Sequence, residues 1–153
     1  MNKNELKDVL CGARQVSHGT PIQAIAHYLR RSQSSSQESK KPKSIKEEET
    51  ARLCQWIEKH HFWYTPIDIT NFVSAGAEQK VYLDGEKDVL KLNDSIYYAT
   101  WLDYFYNLLL NNYFFPDTAY DLLGFYREDN TLYAAKVIIF FQIFTPDYQY
   151  IIQ

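Results

Sequence analysis

The sequence predicts an α+β protein: a twisted antiparallel sheet of about five strands, packed by one long helix. A helical N-terminal extension and a flexible linker precede it. Three observations support this class. Short strand-like segments recur after residue 70, and Asp84-Gly85 between two of them is a strong hairpin signal. A single stretch over 94–112 carries apolar residues at helical spacing on more than one face. Aromatic residues are 16% of the chain and most follow residue 60, so the core belongs to the C-terminal part.

Taken in order, Thr20 reads as a helix cap. Pro21 suits the first turn, and Gln23 can return to the cap as in a capping box. Ile22, Ile25 and Leu29 then share one face as far as Arg30 and Arg31. Residues 32–44 hold no large apolar side chain and cannot offset their own ordering entropy, which makes 32–46 a flexible linker. Arg30, Arg31, Lys40, Lys41 and Lys43 read as its solvated charges. A helix over 47–60 follows, with Leu53, Trp56 and Ile57 as its stripe and Glu48 and Arg52 as a supporting pair. His60 and His61 close it and point in different directions, a poor geometry for a metal.

Strands are expected over 71–74, 79–83 and 88–92. The long helix, 94–112, has Asp94 as its cap, Ile96, Leu102, Phe105 and Leu109 on one side, and Trp101, Tyr104 and Leu108 on another. Pro116 breaks it. Strands over 120–126 and from 131 onward flank a turn at 128–130. The domain reading is a helical extension over 1–31, a linker over 32–46 and one folded lobe over 47–153.

Charge divides along the same line. Residues 1–64 hold eleven Lys and Arg against seven Asp and Glu, whereas 65–153 hold five against twelve. The acidic half is a poor nucleic-acid surface, because phosphate backbones need clustered cations. Cys11 and Cys54 are too few and too far apart for a disulfide framework or a zinc site. The N-terminus lacks the apolar run of a signal peptide. The longest apolar run, 137–144, is far below the roughly 20 residues needed to span a bilayer. These features predict a cytoplasmic protein with no membrane partner.

The order strand, strand, strand, helix, strand, strand is that of a protein-kinase N-terminal lobe, and local residues agree with it. Residues 74–81 overlay the glycine-rich loop pattern G-x-G-x-x-G-x-V. Only the middle glycine, Gly76, is kept, with Val81 at the closing position and Ser74 and Ala75 small enough to let backbone N–H groups approach phosphates. A lone glycine between strands is otherwise a turn. Val89, Leu90 and Lys91 fit the strand-three V-A-I-K pattern, in which the lysine meets the α- and β-phosphates. Alone, Lys91 would read as an exposed strand lysine; the loop and hairpin before it, in the right order, favour the phosphate role. Its carboxylate partner on the next helix would be Asp103, which otherwise reads as a solvated helix residue.

Residues 74–83, 89–93, Trp101 and 111–125 together resemble the polyvalent-protein kinase family, the serine/threonine/tyrosine-kinase-like domains of large phage and conjugative-element proteins. The resemblance covers about residues 47–136. Phe115, Pro116, Asp117 and Thr118, with Leu123, Gly124 and Phe125, are its most specific parts. It implies ATP-dependent phosphoryl transfer, with host or rival-element proteins as acceptors. Gly76 and Lys91 carry over as matched positions, and Asp103 less securely.

A kinase also needs a catalytic-loop Asp and Asn and a metal-binding Asp. After Ala135 the chain has no H-x-D and no D-F-G, and 136–144 does not read as a strand leading to a hinge. The expected function is therefore a nucleotide-binding lobe, inactive by itself, from a truncated or frame-shifted gene. ATP would bind weakly, on the order of millimolar, or near 4 kcal/mol. Lys91→Ala would weaken it and Lys87→Ala would not. Mg²⁺ would bind only with a second lobe supplied. The other reading is a non-catalytic interaction module. Tyr113, Phe114, Phe115 and the tail from Val137 would then meet a protein partner, the missing lobe or a second copy.

Overall fold

The structure, a computed structural model, describes residues 2–33, 41–65, 67–76, 79–85 and 88–138. Residues 34–40 of the expected linker, the loop positions Ala77 and Glu78, the hairpin residue Lys87 and the tail after Ile138 lie outside these residues.

The chain runs through α1 (Lys3–Cys11), α2 (Thr20–Arg31), α3 (Pro42–Lys59), β1 (Phe72–Ala75), β2 (Gln79–Asp84), β3 (Asp88–Asn93), α4 (Trp101–Phe114), β4 (Tyr120–Glu128) and β5 (Thr131–Ile138). The expected α+β class and five-strand antiparallel sheet are both present, with strand order β1-β2-β3-β5-β4. No helix among the described residues is long and apolar enough to cross a membrane.

Three helix starts need correction. Helix α1 lies within the expected helical extension, and the Asn2 side chain caps it by accepting from the Glu5 N–H at 2.8 Å. In α2 the cap is Gly19, not Thr20, and Gln23 forms no capping box. Its amide instead donates to the Val9 and Arg14 carbonyls at 3.1 and 2.9 Å, tying α2 to the end of α1. Helix α3 starts at Pro42, five residues before the expected start, because proline is favoured at a first helical position.

Helix α4 starts at Trp101 rather than 94. Asn93 and Asp94 turn their side-chain oxygens onto the N–H groups of Ser95 and Ile96, at 2.8 and 3.0 Å, and Ser95 adopts φ +57°. Such Asx turns compete with helix, so the cap falls to Thr100, which accepts from the Asp103 N–H at 3.0 Å.

The sheet buries two faces. On one, Leu122, Phe125, Leu132 and Ala134 join Trp101, Phe105, Leu108 and Leu109 of α4 in the main core. That core continues outward to Val9, Ile22, Ile25, Leu29, Leu53 and Ile57, so α1, α2 and α3 pack with α4 rather than apart from it. On the other face, Tyr82, Leu90, Leu92, Ala135 and Val137 pack beneath Tyr64 and Ile67.

Strand β5 lies between β3 and β4, and its ladder to β3 includes Lys136 and Val137. The described part of the run after Ala135, residues 136–138, is therefore central strand, contrary to expectation. The outer strand β4 is met by residues 62–64: the Phe125 N–H donates to the Phe62 carbonyl at 3.0 Å, and the Tyr64 N–H to the Phe125 carbonyl at 2.7 Å. Gly124 (φ +154°) makes this approach feasible, since a Cβ there would stand 2.7 Å from the Phe62 carbonyl oxygen.

Candidate functional site

Sheet register aligns the expected site residues. Ser74 pairs with Val81, Val81 with Lys91, Lys91 with Lys136, and Lys136 with Leu122. Residues directly opposite in antiparallel ladders point to one face, so these five form a row across all five strands. Leu122 belongs to the core under α4 and the Lys136 Nζ lies 5.1 Å from the centre of the Tyr104 ring of that helix. The row therefore faces the α4 side, while Leu90 and Leu92 fill the opposite face.

Ser74, Val81 and Lys91, three of the six expected site residues, thus stand side by side. Gly76 closes the β1–β2 turn, its N–H donating to the Gln79 carbonyl at 2.7 Å. A Cβ on Gly76 would meet only that carbonyl oxygen, at 3.9 Å, so no neighbour in the chain demands a glycine there. Ala75 pairs with Lys80, whose ammonium lies 5.1 Å from the Tyr133 ring centre on the other side of the sheet. Ala75 thus faces away from the row.

Lys91 is half-buried, and burial lowers its pKa from the ordinary lysine value. Its ammonium lies 5.6 Å from the centre of the Tyr120 ring. Among the described residues no carboxylate forms an ion pair with it. Asp103 does not reach it. This residue is exposed in the first turn of α4, where its negative charge suits the helix dipole; the carboxyl pKa of Glu49 is raised chiefly by burial and only lastly by Asp103. Glu49, from α3, is the acid that engages α4: its carboxylate accepts from the Trp101 N–H and from the Leu102 N–H, the latter at 3.2 Å.

Two members of this face escaped the sequence reading. Lys136 is 5% exposed, with its ammonium 4.3 Å from the same Tyr120 ring centre. Tyr120 itself is half-buried, its hydroxyl pKa raised by burial and then by Tyr98. A lysine within an apolar run is the only signal the sequence carries for Lys136; its relation to Lys91 exists only through strand register.

A half-buried cation with no described counter-ion, beside small residues at an open turn, can accept an anionic ligand. No group of three or more His, Cys, Asp or Glu among the described residues is placed to hold a metal ion. Of the residues considered for a partner surface, Phe114 and Phe115 are 50% and 61% exposed. Tyr113 instead packs toward α1, its hydroxyl 3.1 Å from an Arg14 nitrogen.

Comparison with known proteins gives one match. The family model described as "Serine/Threonine/Tyrosine Kinase found in polyvalent proteins" matches residues 46–147. No curated protein and no solved structure matches the chain.

Proposed function

The chain belongs to the family of serine/threonine/tyrosine kinases found in polyvalent proteins, and we propose that it forms the nucleotide-binding lobe of a kinase-like domain. The observation that carries this reading is the row Ser74, Val81, Lys91 on the α4-facing side of the sheet, with Lys91 free of any described carboxylate. The strand order β1-β2-β3-β5-β4, with the single helix α4 inserted between β3 and β4, supports it.

In this reading ATP supplies the transferable phosphoryl group, and the chain's residues hold and orient the nucleotide. The Lys91 ammonium donates to phosphate oxygens. It stands on a strand bonded on both sides, which limits its wandering. The open space beside Gly76 leaves room for a phosphate group to approach the backbone there. Val81, 5% exposed, offers an apolar surface beside the lysine. The lobe's part is therefore binding; the catalytic base and the metal-holding carboxylates of phosphoryl transfer are separate requirements.

The test is calorimetric titration of ATP into the full chain. Wild type is expected to bind weakly, on the order of millimolar, and more weakly as salt is added. Lys91→Met is expected to reduce affinity by about tenfold or more, the loss of one charge-assisted hydrogen bond. Lys80→Met serves as the control, because Lys80 faces away and pairs with Glu128 at 2.8 Å. Equal losses from the two substitutions would reduce Lys91 to a surface charge and defeat the proposal.

A further inference from the structure

The turn between β3 and α4 holds two largely apolar side chains out in water: Ile96 is 60% exposed and Tyr97 69%. The turn beneath them is firmly built. The Asn93 and Asp94 side chains accept from the Ser95 and Ile96 N–H groups at 2.8 and 3.0 Å, and the Tyr98 N–H donates to the Ser95 carbonyl at 3.0 Å. From α3, the Lys46 ammonium donates to the Ser95 and Tyr98 carbonyls at 2.6 and 2.8 Å. Ser95 meets this geometry at φ +57°, a left-handed conformation that is costly for a residue with a side chain. Costs of this kind collect where a surface has a function.

Beside this pair lies a groove of about 580 Å³ between α3, the same turn and the β4–β5 turn. Pro42, Tyr98, Trp101 and Leu132 line its apolar part, and Ile96 borders it. Lys43 and Glu47, both exposed and one turn apart on α3, give its edge both signs of charge. Ser74, Val81 and Lys91 do not line it, so the groove is separate from the nucleotide row. An apolar projection next to an apolar groove can mate with a copy of itself. About a two-fold axis each projection enters the other's groove, and the contact closes at two chains. The charges suit the same symmetry, since an axis between Lys43 and Glu47 sets each lysine against the partner's Glu47.

We propose that this face is an interface between two copies of the chain: Ile96 and Tyr97 of each copy enter the groove of the other, and Lys43 of each meets the partner's Glu47. The rigid turn presents the two side chains without further ordering, which lowers the cost of association. The contact is small, so pairing depends on concentration, with a dissociation constant on the order of 10–100 μM. The inference does not rest on the nucleotide-binding reading, and either can fail without the other.

The test is sedimentation velocity on the full chain over a range of about 1–500 μM, which brackets that constant. The mass is expected to rise from one copy to two and no further. Ile96→Asp and Tyr97→Asp are each expected to weaken pairing about tenfold or more. Both side chains are exposed, so the circular dichroism and melting midpoint should stay at wild-type values. Lys43→Glu alone and Glu47→Lys alone each set like charges across the axis and are expected to weaken pairing about fivefold. A one-to-one mixture of these two variants brings opposite charges back together and is expected to restore wild-type pairing, an effect that altered folding of either chain cannot imitate. A chain that stays single throughout overturns the proposal. So does pairing that survives Ile96→Asp and Tyr97→Asp, which would put the contact on another face, or a mixture that pairs no better than its components.

Discussion

Glu49 shows how one residue can fix the placement of a helix. Its carboxylate comes from α3, yet it satisfies two N–H groups in the first turn of α4, donors that a helix cannot satisfy internally. Glu49→Ala would leave them buried and unpaired. Urea denaturation is expected to show a loss of about 1–3 kcal/mol. Glu49 also has a pH signature. Burial raises its carboxyl pKa above the ordinary 4.5, and the two donors pull it only partly back. The folded state therefore holds that proton more tightly than the unfolded chain does. Glu49 contributes most below the ordinary value and loses that contribution as pH rises through the folded value. Relative to Glu49→Gln, wild type is expected to lose stability as pH climbs from 4.5. A difference that holds constant with pH would refute the raised carboxyl. None of this was legible in the sequence, where Glu49 is one of three consecutive glutamates. Lys91 was legible because its motif is local. Lys136 and Glu49 were not, because each acquires its role from an element about 50 residues away in the chain.

At the level of elements, local signals gave the strands and long-range ones corrected the helices. The Asp84-Gly85 pair marks the β2–β3 hairpin correctly, and Gly85 sits at φ +75° as such turns require. The start of α4 was misread because the apolar spacing of Ile96 with later residues imitates a helix face. In the fold Ile96 is 60% exposed, and the Asx turns before it decide the matter. Gly124, within the segment most specific to the family resemblance, has a clear structural duty in β4. Gly124→Ala would force a Cβ against the Phe62 carbonyl at a positive φ. The expected cost is about 2 kcal/mol or more, read from the denaturation midpoint. Gly76→Ala, in open space, is expected to change stability by less than about 0.5 kcal/mol. Similar losses at both would mean that the approach of residues 62–64 is not what requires Gly124.

Across the whole molecule, the family match begins at residue 46, but the packed core begins at Val9. Val9, Ile22, Ile25, Ala26 and Leu29 are fully buried against a cluster that includes Leu53 and Leu109. Hydrogen bonds reinforce the join: Arg30 donates to the Tyr106 hydroxyl at 3.0 Å, and Asn112 donates to the Ser17 carbonyl at 3.0 Å. Each large buried side chain is worth about 1.5–3 kcal/mol, and a domain is stable by only about 5–15 kcal/mol in total. A chain that starts at Pro42 is therefore expected to lose its cooperative thermal transition and to bind a hydrophobic dye. If such a chain melts cooperatively near the wild-type temperature, α1 and α2 are dispensable packing. The sequence showed the amphipathic face of α2 and a second apolar side on the long helix, but no local pattern says that the two meet.

The strap of residues 62–64 along β4 has a consequence beyond the single chain. An outer strand with free N–H and C=O groups is a template on which another copy's strand can add. Here part of the template is already taken by the chain's own backbone at Phe125, through Phe62 and Tyr64. Where the strap stays seated, the sheet stops at its own boundary. Where it lifts, β4 becomes an open end to which another copy's strand could add, so three residues of irregular backbone cover that edge of the sheet at Phe125.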